Sequence, residues 1–296
     1  MILVIKLVAA DMDGTLLNDE SQITEKTALI IKKIQRLGIE FIINSGRNFY
    51  DIKHILEEAD IKCNCICMNG AASYDFNGTI LSEIPLAKAT VMEILKIFKD
   101  YHLADNIQTN KGIYTTLSQE EMRSNFFNCV IPAFQKSGKT TENFELRIPR
   151  ILSSITYVNH LEELMAPDLV IYKVSASSPD TEGLSAAKKV LTAFNELAVS
   201  SSFSTNIEIT DHLAEKGSAL SAYAKARHIS LSEIMALGDS ENDYSMLSMD
   251  LGYPVAMSNA DDIIKKTAKY MTKSNEEDGV AYAIEKFILN KGISPS

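Results

Sequence analysis

No stretch of this chain approaches the ~20 consecutive apolar residues that a membrane-spanning helix needs. The amino-terminal run from Met1 to Ala10 is short, is interrupted by Lys6 and has no basic segment before it, so a signal peptide is not expected either. Positive charge is in deficit, with 29 Lys and Arg against 39 Asp and Glu and a net charge of −10. An acidic surface repels nucleic acid and anionic membranes, so neither is an expected partner. A phosphorylated substrate meets the same repulsion, and a local cation must overcome it. Cysteine is scarce. Cys63, Cys65 and Cys67 alternate, which puts them on one face of a strand, and Cys129 stands far away. The two-plus-two pairing of a zinc site is missing, so all four read as small buried residues of a reducing compartment, and a cytoplasmic location is expected. Among the histidines, His54, His102, His160 and His228 lack metal-ligand spacing. His212, four residues before Lys216, is a candidate for contact with a leaving group.

What is present is an ordinary globular composition, 46% hydrophobic and 23% charged, in 296 residues that suit one large domain or two. Leu3 to Ala10 is a nearly continuous apolar segment, the pattern of a strand buried on both faces. A polar loop follows. Thr24 is a plausible N-cap, Thr27, Ile30, Ile31, Ile34 and Leu37 recur at helical spacing, and Gly38 is a stop. Ile39 to Ile43 is a second buried strand, Asp51 to Glu58 a helix and Cys63 to Met68 a third strand. Strand–helix–strand–helix–strand implies a parallel sheet with right-handed crossovers.

The order changes from about Ile84 to Asn206. Helices are expected at Ala87 to Tyr101 and Thr181 to Leu197, with a strand at Leu169 to Ala176, while residues 110–148 have no clear period. The α/β order returns with a helix from Lys216 to His228 and strands at Ile234 to Leu237 and Tyr253 to Met257. The expected fold is α/β, a Rossmann-like parallel core carrying an inserted α+β cap. Residues 1–83 and 208–296 form the core, and 84–207 the cap.

Ligands of open parallel sheets bind at the carboxyl ends of the strands. Three strand ends here carry polar clusters: Asp11-Met12-Asp13-Gly14-Thr15, Asn44-Ser45-Gly46-Arg47 and Gly238-Asp239-Ser240-Glu241-Asn242-Asp243. Neighbouring strands would crowd Asp11, Asp13, Asp239 and Asp243, and a hard, oxygen-seeking cation such as Mg2+ relieves that repulsion. Phosphoryl transfer needs an in-line nucleophile, neutralised equatorial oxygens and a proton for the leaving oxygen. Asp11 can attack as a carboxylate, and Asp13 can give and later take the proton. Ser45 and the Met12 and Gly46 amides can donate to phosphate, and Lys216 supplies a point charge. Asp239 completes a metal site, Asn242 can hold the phosphate, and Asp243 can orient Lys216 or a metal-bound water. Arg47 either faces the substrate or pairs with a nearby acid.

Taken in order, the segment Asp11 to Leu17, Ser45-Gly46-Arg47, Lys216-Gly217 and Gly238 to Asp243 resemble the four motifs of the haloacid dehalogenase-like hydrolase superfamily. Met68-Asn69-Gly70-Ala71, the stretch Val255 to Ala260 and Asp278-Gly279-Val280 resemble its Cof-like phosphatase branch, which carries a type IIB cap after the third strand. The resemblance covers nearly the whole chain. It implies Mg2+ held by the side chains of Asp11 and Asp239 and the carbonyl of Asp13, with phosphate contacts from Met12, Ser45, Gly46, Lys216 and Asn242. The chain departs from the pattern at Asn44, where the branch often has a small residue, and at Ser45, which replaces a frequent threonine and keeps the hydroxyl. The resemblance implies a Mg2+-dependent phosphatase of small phosphorylated metabolites, sugar phosphates foremost, acting through an aspartyl phosphate under a closing cap. A sugar phosphomutase is the alternative within the same chemistry, and a non-catalytic sensor of phosphorylated ligands lies outside it. An EF-hand is excluded because Leu16 stands at its glycine position, and a lone response-regulator domain because the chain is too long.

Overall fold

A computed structural model describes residues 5–136 and 144–290. The chain divides into two compact units, Met1–Ser82 with Glu215–Ser296, and Glu83–Ala214. In chain order the strands of the first half are β1 (Leu7–Ala10), β2 (Glu40–Asn44), β3 (Asn64–Cys67), β4 (Ala72–Tyr74) and β5 (Ile80–Glu83). The middle of the chain supplies β6 (Ala104–Thr109), β7 (Gly112–Thr115), β8 (Ile155–Tyr157), β9 (Ile171–Ser177), β10 (Leu197–Ser200) and β11 (Asn206–Asp211). The last part adds β12 (Ile234–Gly238), β13 (Tyr253–Ala256) and β14 (Tyr270–Met271).

Eight strands form one sheet in the order β14-β13-β12-β1-β2-β3-β4-β5. The six from β14 to β3 run parallel, and β4 turns back antiparallel on β3. The chain therefore winds outward from β1 first through β2 and β3, and later through β12, β13 and β14. The switch in winding direction falls between β1 and β12, where open α/β sheets bind ligands. β1 is buried at all four positions, as its unbroken apolar run requires. Residues 3 and 4 of the expected first strand lie outside the described residues.

The first helix, Glu25–Arg36, shows why the local sequence sufficed. The Thr24 hydroxyl accepts the Thr27 amide at 3.1 Å, Glu25 lies in the first turn, and Lys33 and Arg36 lie in the last, each complementing the helix dipole. Ile31 and Ile34 are fully buried, a gain of about 1.5–3 kcal/mol each. Leu37 lies outside the helix and is 63% exposed, because the chain leaves the helical axis at Gly38, whose φ is +80°. The second helix begins two residues earlier than expected, at Phe49, because the Asn48 side chain caps it by accepting the Asp51 amide. Cys63, Cys65, Cys67 and Cys129 are all buried free thiols.

The middle unit has its own six-stranded mixed sheet, order β10-β11-β9-β6-β7-β8, with a parallel pair at β7 and β8. Its apolar core gathers Ile94, Phe98, Ile107, Val174, Leu184, Leu191, Ile207 and Ile209 from that sheet and the helices Lys88–Asp100 and Thr181–Leu191. A smaller cluster joins Met122, Ile131, Ile148, Leu152 and Ile155. This is an α/β fold with a parallel core sheet and a separate mixed cap sheet inserted mid-chain, as the sequence implied. Three details differ. The expected helix to Leu197 ends at Leu191, since Leu197 pairs with Asp211 in β10 and enters the same core from a strand. The insertion leaves not directly after β3 but after the hairpin β4–β5, whose turn contains Asn77-Gly78. Position 208, where the core was expected to resume, falls inside β11, which pairs with β9 and β10. Residues 110–148, unassigned from sequence, hold β7 and the helices Gln119–Asn125 and Ile131–Lys136, with 137–143 outside the described residues. Among the described residues no helix is long and apolar enough to cross a membrane.

Candidate active site

Parallel register builds this site. Ala10 stands level with Leu237 on one side and Ile43 on the other, so the residues that follow them emerge together. Asp11 is the first residue beyond β1, Ser45 the first beyond β2, and Asp239 the first beyond β12. Lys216 opens the helix Lys216–Ala226, and its fully buried ammonium donates to Asp11 Oδ1 and to Asp243 Oδ1, each at 2.7 Å. Gly217 makes that position possible. A Cβ there would lie 2.2 Å from the Ser245 carbonyl, so only glycine lets this helix meet the segment that carries Asp243.

Asp243 is fully buried and spends both oxygens. Oδ1 meets Lys216, and Oδ2 accepts the amides of Asp239 at 2.8 Å and Ser240 at 3.1 Å. Asp239 is held by two hydroxyls, Thr15 and Ser240, each at 2.8 Å. Carboxylate oxygens of Asp11, Asp239 and Asp243 lie within 4.8 Å of one another. Burial pushes Asp11 well above the usual carboxylate range, and Asp243 and Asp239 add to it against the opposing Lys216. Burial, with Asp243 beside it, pushes Asp239 up to about 7. Burial alone would lower Lys216, but Asp11 and Asp243 outweigh it and raise it. Three carboxylates thus face one ammonium in a buried place, which disfavours the ionised forms of Asp11 and Asp239.

The loop after β1 winds around the buried Met12. Its carbonyl collects the amides of Thr15, Leu16 and Leu17 at 2.9 to 3.2 Å. Gly14, at φ +80°, completes the turn, and a Cβ on it would lie 2.4 Å from Asp239 Oδ2. Gly14→Ala is therefore expected to destabilise the protein by about 1–2 kcal/mol through the left-handed backbone and to displace Asp239. Thermal melting combined with metal titration checks both effects, and an unchanged melt would refute the first.

Asp13 does not join the acidic cluster. Arg47 grips it with both fork positions, Nε to Oδ2 at 2.6 Å and Nη2 to Oδ1 at 2.7 Å. Of the two readings of Arg47, pairing with a nearby acid is the one the geometry adopts. Burial would lower the Arg47 pKa, but Asp13 outweighs it and holds the guanidinium firmly charged. Ser45 is buried, and its Oγ accepts the Arg47 amide at 3.3 Å. Gly46 lies between them. Asn242 stands 3.4 Å from the Lys216 ammonium and 3.4 Å from Asn69 Oδ1. His212, by contrast, belongs to the middle unit, where it lies half-exposed against Asp211.

A family profile described as haloacid dehalogenase-like hydrolase matches residues 8–284. The chain belongs to the haloacid dehalogenase-like hydrolases. It is a phosphatase of that family, a phosphoric monoester hydrolase. It is 32% identical over 282 residues to the phosphatase YwpJ of Bacillus subtilis, covering 95% of this chain and 99% of that one. It is also 32% identical over 288 residues to the 5-amino-6-(5-phospho-D-ribitylamino)uracil phosphatase YwtE of the same organism, covering 96% and 98%. A solved haloacid dehalogenase-like hydrolase from B. subtilis superposes with a TM-score of 0.85 at 31% identity, covering 96% of this chain and all of that one.

The hydrolase also contains functional neighbours that sequence reasoning left without a role. Thr15 and Ser240 lie inside the first and fourth motifs and orient Asp239. Met68 and Asn69 take left-handed backbone angles, φ +52° and +58°, and their amides bind the carbonyls of Arg47 and Ser45. Strain at two consecutive non-glycine residues beside a site is the kind of signal that only coordinates carry. Two of the branch stretches, with Asn275 between them, brace the loop after β1 and the start of the first helix. Asn259 Nδ2 donates to the Gly14 carbonyl at 2.7 Å, Asn275 Nδ2 to the Leu17 carbonyl at 3.0 Å, and Asp278 accepts the hydroxyls of Thr24 and Thr27. Asn275 was not singled out because no sequence neighbour hints at a carbonyl 258 positions away.

Proposed function

We propose that this hydrolase removes phosphate from small phosphorylated metabolites, sugar phosphates foremost, through an Asp11 aspartyl phosphate, with Mg2+ as cofactor. We also propose the first unit as the catalytic core and the middle unit as its cap. One observation carries the mechanism. Lys216 holds one oxygen of Asp11, while Oδ2 takes no hydrogen bond among the described residues and is free to attack. Asp11 Oδ2 bonds to phosphorus as the ester P–O bond breaks, and Asp13 gives the leaving oxygen its proton. Asp13 then takes a proton from the water that attacks the acyl phosphate, and Asp11 and inorganic phosphate are released. The Arg47 grip favours the ionised carboxylate, the form that serves as base. An arriving phosphate that draws Arg47 away leaves Asp13 able to carry a proton. Ser45, the Met12 and Gly46 amides, Asn242 and Lys216 cradle the phosphoryl oxygens.

The donor set suits Mg2+. It is all oxygen, and a divalent ion would favour the ionised forms of Asp11 and Asp239 that burial disfavours. Asp11 and Asp239 would hold it with their carboxylates and Asp13 with its carbonyl, while Asp243 stands behind, saturated by Lys216 and two amides. Bound there, the ion supplies neutralisation of charge on the phosphoryl oxygens.

The substrate class draws support from a relative whose name specifies a phosphorylated ribityl compound, itself a polyhydroxylated phosphate ester. Purified protein is expected to release phosphate from an aryl phosphate with Mg2+, to stop when chelator is added and to resume when Mg2+ is restored. Absence of release under all three conditions would sink the proposal. A panel of phosphorylated metabolites ranked by kcat/KM then identifies the leaving group, and isomerised sugar phosphate in place of free sugar would mark a mutase.

A further inference from the structure

Strand β2 ends on a buried carboxamide that the mechanism does not use. Asn44 has no exposed surface. Its Nδ2 donates to the main-chain carbonyl of Lys216 at 3.0 Å and faces Met246 Sδ at 3.3 Å. A carbonyl can be met only by the amide nitrogen, and this fixes the orientation of the side chain. Oδ1 is then left buried with no hydrogen-bond partner among the described residues. A buried acceptor without a donor is destabilising, and a small apolar residue at the same place would avoid that cost. Against that cost fold stability sets only the Nδ2 contacts, which gives no strong reason for asparagine here.

Position does give one. Asn44 touches the helix that Lys216 opens and the short helix Tyr244–Leu247, which directly follows Asn242 and Asp243. It also directly precedes Ser45. Its side chain thus ties the phosphate-facing end of β2 to both segments that carry the ammonium and the acid binding it. Gly217 and Ser245 meet closely beside it, with the Gly217 amide donating to Ser245 Oγ at 3.1 Å.

We infer that Asn44 is a positioning residue, which anchors the main chain of Lys216 so that its ammonium stays shared between Asp11 and Asp243. It acts through Lys216 and does not touch the phosphoryl group. The kinetic part of this inference rests on the phosphatase reading above, and the structural part does not.

Asn44→Leu and Asn44→Ala test it by thermal melting, steady-state kinetics on an aryl phosphate with Mg2+, and crystallography. Leucine has similar volume and no orphaned acceptor, so its melting temperature is expected at or above that of the unsubstituted protein. Its kcat is expected to fall ~10- to 100-fold with KM little changed, the signature of a displaced catalytic group in an intact fold. Alanine removes the donor without added bulk, and its kcat is expected to fall in the same direction, a comparison that stands even where leucine fails to fold. Kcat unchanged in the alanine and leucine variants would overturn the inference. The variant structure judges it without turnover. Lys216 is expected to lose one of its two carboxylate contacts, and both kept at 2.7 Å would overturn it. An inactive parent protein would instead condemn the phosphatase reading.

Discussion

Asp11→Asn is expected to lower phosphate release by at least about 10⁴-fold while leaving the protein folded. The amide oxygen still accepts from Lys216, so the local geometry survives. The amide cannot form an acyl phosphate, so turnover does not. The same substitution removes one of three crowded carboxylates whose only facing ammonium among the described residues is Lys216. Without added cation, the variant is therefore expected to melt higher than the parent by about 2 °C, consistent with relief of about 1 kcal/mol of repulsion. Turnover within tenfold of the parent would show that Asp11 is not the nucleophile. A lower metal-free melt would show that the cluster is not repulsive.

Lys216→Met is expected to produce the largest loss of stability of any single substitution at the site. The ammonium is fully buried between Asp11 and Asp243, both also buried, and methionine fills its place without its charge. Removing one partner of a buried ion pair costs about 3–5 kcal/mol, because the remaining charges stay uncompensated. Here two carboxylates lose their counterion at once. Turnover is expected to fall by at least about 10²-fold as well, since the charge proposed to face the phosphoryl oxygens is lost. A Mg2+ site formed only in the folded chain, as proposed, would stabilise that state, so millimolar Mg2+ is expected to restore part of the lost stability. Denaturant titration with and without Mg2+ checks this. A metal-free loss under about 1 kcal/mol would mean that the buried charges are compensated elsewhere.

Asp13 shows where reading the chain in one dimension stops. Its place two residues after Asp11 marks it as the second acid, and Arg47 was open between substrate and a neighbouring acid. Their bidentate pairing depends on the path of the loop after β1, which winds on the Met12 carbonyl and is braced by Asn259 and Asn275. Asp243 is similar. Its sequence position suggested an accessory to Lys216 or to a metal-bound water, and in the fold it binds Lys216 and two amides of its own turn.

The order of short apolar strands and capped helices, and the acids and glycines at strand ends, were determined by the sequence alone. They follow from local rules: alternation, capping and backbone freedom act within a few residues, and parallel register then brings Asp11, Ser45 and Asp239 level. What only the tertiary structure decided is which side chain holds which. Arg47 on Asp13, Thr15 on Asp239 and Asn44 on the Lys216 carbonyl join segments up to 224 residues apart. A hydrogen bond forms or fails within a few tenths of an ångström, and that distance exists only once the whole sheet has closed.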